Sequence, residues 1–209
     1  PYDKAALGDL TYEPTLVHRL TIAISGNAPG TGSNTPDGVT VTPGVPMANP
    51  INVIYDFIPA TGQAVTATDS SRDIVATAKC NECHSRLGNI PGSPEAFHGG
   101  ARNNAQYCVV CHTDQRKYGR TEATTTATGY SGSTYLINGL TVGNFPAEIH
   151  KIHMGAELIK TGYNYANVLF NGIHYPQPIT NCSKCHDGSE SAANKTKDGD
   201  NWKKVPSIL

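Results

Sequence analysis

The chain has little of what builds an ordinary globular core. Of its 209 residues, 38% are hydrophobic and 7% aromatic, with a single Trp and two Met. A conventional apolar interior would therefore be thin. No apolar run approaches the roughly 20 residues that cross a bilayer as a helix, so no membrane span is expected in this chain. No secretory leader is visible, and the chain opens at Pro1 rather than Met, as a processed or excised product would. Charge of either sign is scarce in excess: 16 Lys+Arg stand against 17 Asp+Glu, for a net charge of −1. Without a basic stripe, nucleic acid is not an expected partner. What is plentiful is Gly (21) and Pro (14), a composition that favours turns and loops over long regular elements.

Cysteine is also scarce, but it is ordered. All six Cys fall in C-x-x-C pairs, each followed at once by His: Cys80-Asn-Glu-Cys83-His84, Cys108-Val-Val-Cys111-His112 and Cys182-Ser-Lys-Cys185-His186. C-x-x-C-H is the attachment motif of c-type haem, and chance would place His after all three pairs on the order of once in 20,000. The chemistry needs this spacing. Two thiols so placed reach the two vinyl groups of one porphyrin, and the next residue supplies an imidazole beneath the iron. Three covalently attached c-type haems are expected, with the six Cys as anchors and His84, His112 and His186 as proximal ligands. A zinc ribbon would use two pairs and leave the third, with three His, unexplained. Disulfides or thioredoxin-like pairs would explain the Cys but not the His. Haem is attached to Cys outside the cytoplasm, so an extracytoplasmic location follows.

Three six-coordinate irons need three further ligands. His18, His98, His150, His153 and His174 remain, with Met47 and Met154. This supply favours bis-His ligation, and haems without a Met ligand sit at low reduction potential. His150 and His153 lie in Asn144-Phe-Pro-Ala-Glu-Ile-His-Lys-Ile-His-Met-Gly155. Asn144 suits an N-cap, Pro146 a first turn and Gly155 a C-terminal stop, so a short helix is expected. At i and i+3 the two imidazoles leave one side roughly 60° apart, which suits two neighbouring haems better than one iron. His98 follows the helix-start pattern Ser93-Pro-Glu-Ala-Phe97 and precedes Gly99 and Gly100, where small residues would let backbone approach a macrocycle. These three are the expected distal ligands. His18, in a strand-like segment, and His174, in a loop, rank behind them.

The fold class expected is mixed, with little regular secondary structure: a β-rich region over 1–68, then a haem-cored domain of short helices and loops over 69–209. Val17–Ser25, Val39–Thr42 and Asn52–Pro59 read as strands, with a loop over Gly26–Pro50. Asp69-Ser-Ser-Arg-Asp starts a helix that runs into Cys80. Asn138-Gly139, inside Tyr135–Val142, is a two-residue hairpin signal. Asp198 and Asp200 could bind calcium, though their polar segment reads better as a solvated loop. Haems would replace the missing core, so haem-free chain should be largely unfolded over 75–209.

Several stretches resemble the OmcA/MtrC family of outer-surface multihaem cytochromes. They are Arg72-Asp-Ile-Val, Cys80–His84, Phe97-His-Gly-Gly-Ala-Arg102, Tyr107-Cys-Val-Val-Cys-His112 and Ile149-His-Lys-Ile-His153, and the likeness runs over roughly residues 50–205. It implies β-barrel domains alternating with multihaem domains, bis-His ligation with His98, His150 and His153 distal, and electron transfer to extracellular acceptors such as metal oxides and flavins. Other multihaem cytochromes, or further copies of the chain, are the implied partners. Family members carry more haems than three. The terminal Asp200–Leu209 resembles a stretch that leads into a further C-x-x-C-H, as in a short form, a processed product or a fragment. The expected role is an electron conduit at the cell surface or beyond it, not an enzyme, with non-specific metal reduction at exposed haem edges. A polymerising cytochrome filament and a haem reductase with one open iron are the rival readings.

Overall fold

The computed structural model describes residues 7–65 and 74–186. It is mixed, with small sheets and few helices. Chain contacts divide it into two compact units, one built around Pro14–Val110 and the other around Cys111–Ser183. The expected boundary at 68/69 falls within residues 66–73, outside the described residues, as do Asp198 and Asp200.

In the first unit, β1 (His18–Ile24) pairs antiparallel with β2 (Ile51–Ile58), which pairs with β3 (Gln63–Ala64). Both long strands lie within a residue or so of expectation. The register sets Leu20 opposite Tyr55, Ile22 opposite Val53 and Ile24 opposite Ile51, and all six are exposed. The period-two alternation is therefore real, yet the apolar face points outward. The opposite face carries Arg19, whose Nε and Nη2 donate to Asp56 Oδ1 and Oδ2, each at 2.7 Å. Val39–Thr42 is not a strand. Val41 makes a single bridge, its N–H and C=O both bonded to Gly32 at 2.8 Å. The β-branched residues there lie in a Gly- and Pro-rich loop with no extended partner to pair with.

Helix α1 (Thr77–His84) carries the first Cys pair. Residues 74–76 are not helical, so the described helix starts later than the expected run from Asp69. α1 has no buried residue, so it has no apolar stripe to dock on a protein core. Helix α2 (Ala105–Cys111) carries the second pair. The Asn104 side chain accepts from the Gln106 N–H at 2.8 Å, and Thr77 Oγ1 accepts from the Ala105 N–H at 2.9 Å, so both orphan donors are satisfied.

In the second unit, β4 (Thr124–Thr125) pairs with β5 (Tyr130–Ser131), and β6 (Leu136–Ile137) with β7 (Leu140–Thr141). The last two form the expected hairpin, turning through Asn138 (φ +54°) and Gly139 (φ +72°), the geometry of a type I′ turn. A second tight hairpin joins β8 (Asn164–Tyr165) to β9 (Val168–Leu169) through Ala166 and Asn167, both at positive φ. Helix α3 (Phe145–Met154) spans the expected segment. Asn144 is its N-cap by backbone, but its side chain makes no capping bond; Gly155 ends it at φ +49°, its N–H donating to Lys151 O. The side-chain core of this unit is Ala123, Ile137, Val142, Tyr163 and Phe170. Among the described residues only ten hydrophobic side chains are buried, four of them Ala, which confirms how thin the apolar interior is.

Candidate haem sites

Each C-x-x-C-H motif sits on a helical turn. The first lies wholly in α1, the second ends α2 with His112 just beyond it, and the third opens in the 3-10 turn Cys182–Lys184. On such a turn, residues i and i+3 project from one side. Cys80, Cys108 and Cys185 are half-buried, whereas Cys83, Cys111 and Cys182 are exposed, and none forms a disulfide. Among the described residues no three of His, Cys, Asp or Glu converge to hold a metal ion. Burial, and to a lesser degree Cys185, pushes the Cys80 thiol up to about 11.

The first and third motifs meet at their intervening residues. Glu82 accepts from Lys79 at 2.6 Å and also from Lys184. Lys184 first, then Lys79, holds the Glu82 carboxyl below its ordinary value, and Glu82 raises Lys184 in turn. This contact joins residues 102 apart in sequence, and no local pattern announces it.

The histidines report on fitness for iron. His112 Nδ1 lies 2.7 Å from Glu148 Oε2, His186 Nδ1 lies 2.6 Å from Ile74 O, and His153 Nδ1 lies 2.8 Å from Ile149 O. A carbonyl or carboxylate oxygen can only accept, so each Nδ1 carries the hydrogen, and in the neutral imidazole Nε2 is then the nitrogen that can bind a metal. That is the tautomer a metal-ligating His adopts when its outer nitrogen is anchored. These residues therefore fit haem iron on the chemistry of their donors. Sequence reasoning did not single out Glu148; its bond to His112 spans 36 residues.

His98 differs. The expected helix start is a 3-10 turn, Phe97–Gly100, kinked at His98 (φ +51°) and Gly99 (φ +62°). Arg102 Nη1 lies 3.0 Å from His98 Nδ1. A guanidinium can only donate, so here Nδ1 accepts and Nε2 carries the hydrogen. Gly100 is needed by the chain's own packing: a Cβ there would collide with the backbone of Pro91 and Asn89.

His150 and His153 share α3, both half-buried. His153 packs edge-on against Tyr175, 5.1 Å between centroids. His153 and His174 border one small cavity of about 60 Å³ with Met154, Tyr175 and Gln177, so the structure brings the outlying His174 beside a leading candidate. His18 opens β1 with its ring 6.1 Å from that of Phe57. His84 ends α1, exposed.

Residues 72–208 match the family model described as outer membrane cytochrome MtrC/MtrF-like, domains II/IV. The chain is 38% identical over 104 residues to the multiheme cytochrome MtrC of Shewanella baltica (strain OS185), a stretch covering 50% of this chain and 13% of that protein. It is similar in fold to the crystal structure of the outer membrane decaheme cytochrome OmcA, with a TM-score of 0.53 and 22% identity, over 93% of this chain and 23% of that one. It thus spans less than a quarter of either relative. No described helix is long and apolar enough to cross a membrane.

Proposed function

This chain belongs to the MtrC/MtrF-like outer membrane cytochrome family, and from that premise we propose that it conducts electrons among three closely spaced haems carried by residues 69–209, with residues 1–68 as an adjoining β-rich region. The haems supply one-electron exchange at iron; the chain supplies spacing, axial ligands and surroundings. Cys80, Cys83, Cys108, Cys111, Cys182 and Cys185 anchor the porphyrins. His84, His112 and His186 hold the proximal side. His98, His150 and His153 take the distal side, with His18 and His174 behind them. For His98 this role requires its contact with Arg102 to give way. The location proposed is the cell surface or beyond it. Neighbouring multihaem cytochromes or further copies are the partners, and metal oxides or flavins the acceptors. Non-specific reduction at exposed haem edges takes the place of turnover in a shaped site.

The observation that carries this reading is the hydrogen bonding of His112, His153 and His186. Each has Nδ1 engaged with an oxygen acceptor, the outer anchoring that a metal-ligating His shows. Low-temperature EPR of the oxidised protein, with haem quantified on the same sample, tests it. Three haems per chain, all low-spin, are expected. A high-spin component would refute full bis-His ligation and favour an open, catalytic iron.

A further inference from the structure

Two anchored histidines, His153 and His186, donate Nδ1–H to neutral backbone carbonyls. His112 instead faces a carboxylate. We propose that Glu148 is a positioning residue that selectively lowers the reduction potential of the haem anchored at Cys108 and Cys111. The inference rests on the reading that this motif carries a haem.

Three observations support it. The contact is short, 2.7 Å, and both side chains are largely shielded, at 15% and 18% exposure, so water screens the carboxylate little. Glu148 is also held in place. Its N–H donates to Asn144 O at 2.8 Å in the first turn of α3, and Phe145 N–H donates to His112 O at 3.0 Å. The helix thus grips His112 by both backbone and side chain. The imidazole is fenced edge-on by Phe145 and Tyr165, at 6.5 and 6.1 Å between centroids.

The chemistry follows from charge. A carboxylate draws the Nδ1 proton more strongly than a carbonyl does and makes the imidazole a stronger donor at Nε2. A stronger donor stabilises ferric over ferrous iron, and such hydrogen bonding is one of the protein's means of setting haem potential. In a haem held by His112, reduction would add one electron at iron without making or breaking a bond to it, and the proton would stay between Nδ1 and Glu148.

The test uses holoprotein at one fixed pH. Haem per chain is counted first; fewer than three in the wild type would sink the haem assignment rather than the role of Glu148. EPR-monitored redox titration then compares wild type, E148Q, E148D and E122Q. E148Q keeps an acceptor but removes the charge, so one of three potentials should rise and one low-spin signal should change, with the other two haems nearly unmoved. E148D keeps the charge on a shorter arm and should give a smaller rise at the same haem. E122Q removes an equal charge from a residue that bonds Gly139 N–H and should spare all three. Should E148Q lose haem, fully loaded E148D decides. Unchanged potentials in a loaded variant, or a uniform rise matched by E122Q, would overturn the proposal.

Discussion

Phe170 is 1% exposed, and its ring lies 5.3 Å from that of Tyr163, between whose backbones a 2.9 Å hydrogen bond also runs. Replacing it with Ala tests whether this side-chain core or the haems hold the second unit together. Losing a buried phenyl forfeits roughly 2–3 kcal/mol of transfer free energy. An unrelaxed cavity of about 100 Å³ adds about 2 kcal/mol at the cavity coefficient, for a total of about 4–5 kcal/mol. With a urea slope of about 2 kcal/mol/M, the midpoint should fall by about 2 M. Phe170→Leu should cost only about 1 kcal/mol. The damage should reach α3, because Ile173, at the end of the Phe170 turn, accepts the Ala156 N–H at 2.8 Å just past Gly155. Urea unfolding of holoprotein followed by far-UV circular dichroism reads the stability. EPR of the same sample reads any loosening of the haem proposed to take His153 as a ligand. A midpoint shift below about 0.5 M would refute the reasoning and show that the porphyrins, rather than the five-residue cluster, are the core of this unit.

Two further outcomes are expected. Gly155→Ala places a methyl against the Ile173 carbonyl at a residue with φ +49°; a loss of about 1–3 kcal/mol in urea unfolding and a disturbed low-spin signal should follow, whereas wild-type behaviour would show that α3 ends elsewhere. The Glu82 carboxyl is held low first by Lys184, then by Lys79, so its contribution is present above the ordinary carboxylate value near 4 and fades as pH falls below it. The thermal midpoint of E82Q should therefore trail wild type at neutral pH in low salt, and converge with it in acid or high salt; parallel profiles at every pH would count against the pairing.

Legibility followed locality. The three C-x-x-C-H motifs, α3 and the Asn138-Gly139 hairpin were all readable because each is specified within about a dozen residues. The second tight hairpin was not, because Ala166-Asn167 carries a positive φ at a residue no turn rule selects. His98 was read as following a helix start, yet the Gly-rich stretch permits a left-handed kink that redirects its imidazole to Arg102. Val39–Thr42 has strand composition but gained only the single Gly32 bridge. The long-range contacts around the C-x-x-C-H motifs were least legible of all. Glu148 to His112, Lys184 to Glu82 and His186 to Ile74 join residues 36, 102 and 112 apart.

The distribution of burial argues that cofactor and core are one thing in this protein. α1 buries none of its own residues yet presents two Cys and a His. A short helix without a docked apolar face is marginal in water, and a porphyrin held by its Cys would add the apolar contact it lacks. The β1–β2 sheet turns Leu20, Ile22, Ile24 and their partners outward, so it does not supply the missing interior either. The only cluster of buried hydrophobic side chains among the described residues lies around Phe170, in the unit that also anchors α3. A porphyrin bonded at both Cys of a motif would bury apolar surface where the sequence provides almost none. Its axial His would be fixed from behind by acceptors such as Glu148 and Ile74, as the structure already shows for their Nδ1 atoms. If the porphyrins fill this role, haem-free chain should be largely unfolded over residues 75–209, and a native-like far-UV circular dichroism spectrum without haem would refute it.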